Sequence, residues 1–278
     1  MPVLSAAASV AAPPPGQYHD DPSIVGFFRD LVEPFGSTVD ERRLRGGPNV
    51  SHRDLVDRMV GHGDGEGGVG GTADLVVVSH ALPDVHPFTA VASHLNMLLG
   101  GDAKSFCVSE QGLAAPFTAL RIISAFQSAG RAGRAVLAVL EQTTLPTPHP
   151  LVDSGELTDS GVLLVLDEGE GLGVSSVESF PSPEATTARI AELATADPAG
   201  TLFVLGPRSG VGASAPAGAR VHQAGAGSYC TSVWLELARH WQQWQREFTT
   251  VVLCDVDPLD HQGQLAVFRA AAAPRPAR

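Results

Sequence analysis

Apolar residues in this chain arrive in two rhythms. ADLVVVSH (73–80), RAVLAVLEQ (134–142), GVLLVLDE (161–168), TLFVLG (201–206) and TTVVLCDVD (249–257) are short, nearly continuous apolar runs. Runs of that length bounded by turn residues predict strands buried on both faces, as in a sheet with helices on each side. PVLSAAASVA (2–11), SFCVS (105–109) and GQLAVFRA (263–270) predict further strands, and LGVSSVESF (172–180) follows GVLLVLDE closely enough to pair with it as a hairpin. Between the strands apolar residues recur every three or four positions. SIVGFFRDLVEPFG is stopped by Pro34 and Gly36, and SHRDLVDRMV opens on Ser51 as an N-cap with Leu55, Val56, Met59 and Val60 on one face. FTAVASHLNMLLGG, APFTALRIISAFQSAG, PEATTARIAELATA and SVWLELARHWQQWQ complete the helices. Buried strands alternating with amphipathic helices define an α/β protein.

The alternation runs twice. Residues 1–170 and 171–278 share one plan: helix, buried strand, a turn at the head of a helix, then closing strands. The two halves are expected to form one compact domain, with Met1 and residues 272–278 flexible at its ends. The glycine-rich connector GHGDGEGGVGG (61–71) lacks the GKS/T and preceding strand of a phosphate loop.

Charge narrows the partners. A formal net charge of −12, with 30 acidic against 18 basic residues and Lys104 as the only lysine, argues against nucleic acid or an anionic membrane as the main partner. Cys107, Cys230 and Cys254 are odd in number and have no CxxC spacing, so neither a disulfide framework nor a zinc knuckle is read, and no cofactor or metal motif is present. The N-terminal run lacks a positive n-region and is broken by Pro13 to Pro15, and no apolar run is long enough to span a bilayer; a cytoplasmic location is expected.

In order and spacing, ADLVVVSHALPD, FCVSEQGLAAPFTALRIISAFQSAGRAGRAVLAVLEQ, GVLLVLDEGEGLGVSSVES and YCTSVWLELARHW resemble the thiolase fold and, within it, the initiation-type (type III) ketoacyl synthases. The resemblance covers nearly the whole chain. It implies duplicated βαβαβ halves in α-β-α-β-α layers, with a second half shortened between the strands at 172–180 and 201–205. In that family a Cys at a helix N-terminus attacks an acyl thioester while a His and an Asn stabilise the oxyanion. Carried over, the cysteine position falls at Gln111 or Gly112, the histidine position at Gly206 and the asparagine position near Gly227, so all three groups are expected to be replaced. The shortened connection normally helps wall the acyl tunnel, and its loss leaves the site open or covered by a partner.

Gln111 is the leading candidate site residue, because glutamine also replaces the cysteine in chain-length-factor subunits of aromatic polyketide synthases and in decarboxylating loading ketosynthases. Its N–H can polarise an acyl oxygen although it cannot be acylated as a thiolate can; pairing with a nearby backbone carbonyl is the structural alternative. Ser109 and Glu110 could supply nucleophile and base, but adjacent residues at a strand end face opposite ways. Cys107, inside its strand, reads as a small buried hydrophobe. Glu141 and Gln142 read as turn or interface residues near the site floor. His80 and His86 flank a tight loop without the further ligands a metal needs, and Trp234, Trp241 and Trp244 read as a core or interface stripe.

Three functions follow. One is a catalytically degenerate ketosynthase-like subunit in bacterial polyketide, fatty-acyl or other secondary-metabolite biosynthesis. Such a subunit would be homodimeric, or paired with an active ketosynthase, through the strand at 105–109, as the resemblance implies. The second is an atypical acyltransferase, condensing enzyme or decarboxylase acting through Gln111, Ser109 or Glu110. The third is a module that binds acyl ligands or an acyl carrier protein.

Overall fold

A computed structural model describes residues 1–61, 69–209 and 218–270. Most of the connector at 61–71 and the end of the tail lie outside the described residues. In chain order the elements are β1 (Val3–Ala11), α1 (Pro22–Val32), α2 (Glu41–Gly46), α3 (His52–Gly61), β2 (Leu75–His80), α4 (Val91–Leu98), β3 (Lys104–Val108), α5 (Ala115–Ser128), β4 (Ala135–Glu141), α6 (Pro150–Asp153) and β5 (Ser160–Asp167). They continue with β6 (Leu172–Phe180), α7 (Pro183–Ala196), β7 (Thr201–Leu205), β8 (Arg220–Gln223), α8 (Ser232–Glu247), β9 (Thr250–Val256) and β10 (Gly263–Ala270).

Ten strands form one sheet in the order β3-β2-β4-β5-β1-β6-β10-β9-β7-β8. Read outward from its centre, the second five repeat the first: β6 stands to β10, β9, β7 and β8 as β1 stands to β5, β4, β2 and β3. In each half the inner three strands pair antiparallel and the outer three parallel. Within the sheet the halves pair at Val3↔Gly173 and Leu4↔Leu172, between β1 and β6.

The expected hairpin of β5 with β6 does not form. β1 lies between them, pairing with β5 along nearly its whole length. Proximity in sequence favoured the hairpin, but the duplicated topology places each half's first strand at the centre. β8 carries no strand signal in the sequence: its RVHQ is short and largely exposed, with no apolar run to mark it.

The continuous apolar runs have a direct cause. Along β2, Leu75 and Val77 face a central core while Val76 and Val78 face the α3 and α4 side; along β9, Val251 and Leu253 face the centre while Val252 and Cys254 face the α7 side. Strand side chains alternate, so a strand covered on both faces must be apolar at every position. The central core holds α5 and α8 together, where the Phe117 ring meets Trp234 edge-on at 4.9 Å. The layers are therefore α3/α4, first half-sheet, α5/α8, second half-sheet and α7. Among the described residues, no helix is long and apolar enough to cross a membrane.

Candidate functional site

The turn from β3 into α5 ends in a one-turn 3-10 helix, Gly112–Ala114, continuous with α5. Backbone N–H groups at such a start have no partner within the helix and attract negative charge. Here a carboxylate of the chain's own takes that place. Leu113 N donates to Asp257 Oδ2 at 3.1 Å and to the Tyr229 hydroxyl at 3.1 Å, and that hydroxyl donates to Asp257 Oδ2 at 2.5 Å. Leu113, Tyr229 and Asp257 are all buried. Burial, with Asp257 beside it, pushes the Tyr229 phenol far above its ordinary range, so it stays protonated and donates.

Gly112 adopts φ +52°, and a Cβ there would lie 2.8 Å from both Asp257 Oδ2 and the Tyr229 hydroxyl. A side chain at this position would thus be directed into the Tyr229–Asp257 pair. Gln111 points elsewhere: it is exposed, and its Oε1 accepts a hydrogen bond from Thr118 Oγ1 at 2.7 Å. Glu110 is exposed with φ +59°, and Ser109 is half-buried. The three candidates therefore sit at the outer tip of the turn, while the converging polar groups lie beneath it.

The same arrangement recurs at the other half's helix. Glu141, at the end of β4, is fully buried and accepts from Tyr229 N at 2.8 Å and Cys230 N at 2.6 Å, just ahead of α8. Desolvation outweighs these amide bonds and raises its carboxyl to about 7. Cys230 is equally buried, its thiol donating weakly to Leu140 O at 3.5 Å. Burial, with the Glu141 carboxylate next to it, holds the thiol well above the ordinary range and so removes it as a nucleophile.

Gly206, after β7, abuts Asp255: a Cβ there would lie 1.9 Å from the Asp255 carboxyl carbon. Asp255 accepts from Ser232 Oγ at 2.5 Å and Val256 N at 2.9 Å, and burial raises it to about 7. Gly227, at φ +102°, lies in a turn whose carbonyl accepts from Thr158 N at 2.9 Å.

The remaining expectations sort simply. Cys107 is exposed, not buried as expected, because β3 is the sheet's edge strand; partial desolvation still raises its thiol. Gln142 is buried and donates to Pro83 O, so it and Glu141 belong to the site floor and not to an exposed turn. His80 stacks on His52 at 4.7 Å, whereas His86 stacks on His19 at 5.0 Å. Trp234 and Trp244 are buried, and Trp241 packs on the central core.

Sequence reasoning missed Tyr229, Asp255 and Asp257. One signal was available: in CDVD, the two aspartates are two apart at the end of a buried strand and so share a face.

No protein-family model matches the chain, and no curated protein matches it in sequence. Solved structures do match. The tetronic acid condensing enzyme AbyA1 superposes with TM-score 0.68 at 15% identity, over 97% of this chain and 100% of that one. The 3-oxoacyl-(acyl carrier protein) synthase III of Pseudomonas aeruginosa PAO1, FabH, gives 0.62 at 14% identity over 99% of each chain. Xanthomonas campestris OleA, in a structure with bound lauric acid and lauroyl-CoA, gives 0.65 at 10% identity over 96% of this chain and 98% of that one. This chain has the layered, duplicated thiolase-like fold of those proteins.

Proposed function

We propose that the chain is a catalytically degenerate ketosynthase-like protein whose acyl site is closed by its own side chains, and that it works as a partner subunit of a ketosynthase-type complex. The observation that carries this reading is the pair of bonds from Leu113 N to Tyr229 and Asp257. An amide at this helix start would polarise an incoming thioester only if it were free. A carboxylate already holding it also repels a developing oxyanion. Carried over from the resemblance, the cysteine position is Gln111 or Gly112, the histidine position Gly206 and the asparagine position near Gly227, none of which keeps the family's group.

The partner role draws support from the far edge of the first half. Among the described residues β3 pairs only with β2, at the end of the sheet. Beside it Phe27 and Leu31, which line a cleft with Ser105, Phe106 and Cys107, are exposed by 38% and 50%, and Phe88, whose ring meets Phe27, by 61%. An open edge strand beside exposed apolar groups is a ready surface for a second chain, either a copy of this one or an intact ketosynthase. The acidic surface gives no reason to add nucleic acid or membrane to the partners; an acyl carrier protein would enter through the ketosynthase.

A second reading rests on Glu141 and Asp255, which titrate near neutrality as general acids or bases do. With Gln111, Ser109 and Glu110 at the rim, it predicts an atypical acyl-thioester enzyme. Co-expression with a ketosynthase that keeps its Cys, His and Asn, ideally one encoded alongside, separates the two. Partner function predicts co-purification and higher condensing activity in the pair, unaffected by Gln111→Ala. An enzyme predicts turnover by the chain alone, lost in that variant.

A further inference from the structure

We infer a zinc site distinct from the Tyr229–Asp257 pair, formed by His222 of β8 and by Glu236 and His240 of α8. Among the described residues these are the one group of three metal-competent side chains, with all ligand atoms within 4.8 Å of one another. His222 Nε2 lies 2.7 Å from Glu236 Oε2, and His240 Nε2 lies 3.6 Å from the same oxygen. Tetrahedral Zn2+ with bonds of roughly 2.0–2.2 Å sets its ligand atoms about 3.3 Å apart, between those two separations.

The surroundings suit an ion. Glu236 and His240 are four residues apart on one helix and so lie on the same face. Arg239 Nη1 holds the other glutamate oxygen, Oε1, at 3.1 Å, which orients Oε2 toward the imidazoles. The Trp244 ring lies 5.3 Å from each imidazole and forms an apolar wall. Side-chain exposures of 33% for His222, 11% for Glu236 and 39% for His240 leave the fourth position open to water. Two imidazoles and a carboxylate match the donor preference of Zn2+.

The site joins elements with little else between them. β8 has four residues and, among the described residues, pairs only with β7 at the end of the sheet. Bound zinc clips this strand to α8 and stabilises the second half by mass action.

The test is calorimetric titration of the full chain, freed of metal by a chelator, with Zn2+ alone, alongside thermal unfolding. The expected result is one equivalent bound with a dissociation constant of order 10 µM or tighter and a raised melting temperature. His240→Ala and Glu236→Gln should each weaken binding by about tenfold or more. The control His261→Ala, at an exposed loop position, should bind as the parent does. His240 is exposed enough that its variant should fold, which circular dichroism checks. No binding at 100-fold higher zinc, or unchanged affinity in both site variants, overturns the assignment.

Discussion

Leu113 and Asp257, 144 residues apart and in opposite halves of the molecule, meet at 3.1 Å, amide to carboxylate. Cys230 and Glu141 meet in the mirror sense at 2.6 Å: a carboxylate ending a strand of the first half receives the amide ahead of the second half's central helix. Each half therefore supplies the carboxyl group at the other's helix start. The duplicated topology brings these strand ends and helix starts together, and in this chain the places are filled from within. The candidate site and the seam between the halves are thereby the same structure, which makes its residues matter for stability.

Removing the hydroxyl in Tyr229→Phe takes one acceptor from Leu113 N and the donor from Asp257. A cost of about 1–2 kcal/mol is expected, and Asp257→Ala, which takes the acceptor from the buried Tyr229 hydroxyl and from Leu259 N and leaves Leu113 N only its bond to Tyr229, should cost about 2–4 kcal/mol. Urea unfolding measures both. A change below about 0.5 kcal/mol in each would mean that the network does not hold the halves together.

Gly206 and Asp255 should be coupled. Gly206→Ala places a methyl group within 1.9 Å of the Asp255 carboxyl carbon and should destabilise by about 3 kcal/mol or more. In an Asp255→Ala background the same change should cost less than about 1 kcal/mol. A double-mutant cycle gives the coupling directly; additive effects would show that Asp255 does not occupy the space in front of Gly206.

Glu141 sets a pH dependence. Its folded-state carboxyl, at about 7, lies above the ordinary 4.5, so folding favours the protonated form. The stability this adds is complete below about pH 4.5 and is lost as pH rises through about 7. Relative to Glu141→Gln, the parent should lose about 2 kcal/mol between pH 5 and pH 8. Parallel unfolding curves across that range test this, and a constant difference contradicts it.

How far sequence reasoning reached follows from what each feature depends on. ADLVVVSH and RAVLAVLEQ declared their burial because a strand between two helix layers has no polar face to hide the signal. Their order, with the turn into APFTALRIISAF, was enough to indicate the thiolase-like plan. The β5–β6 hairpin misled because β1, over 150 residues earlier, takes the intervening place. Gln111 drew attention through its position in a linear alignment. The backbone turns at Glu110 and Gly112, both at positive φ, leave it outside and direct Gly112 inward. Tyr229 and Asp257 act only as a pair across the seam, a relation no local pattern encodes.

At the edge of the sheet, Cys107→Glu in β3, at an exposed position, should place a charge in the surface proposed for pairing. Light scattering of the parent is expected to report a dimer, or a heterodimer when an intact ketosynthase is present, and of Cys107→Glu a monomer with unchanged circular dichroism. A monomeric parent that also ignores a ketosynthase would remove the partner role.

Closure of the acyl site is tested most directly by intact-protein mass spectrometry after incubation with acetyl-CoA, malonyl-CoA and lauroyl-CoA, with free CoA measured in parallel. The account predicts no covalent adduct and no CoA release above the blank, in the parent and in Gln111→Ala and Ser109→Ala alike. An acyl adduct on the parent, or CoA release that either variant abolishes, would contradict it.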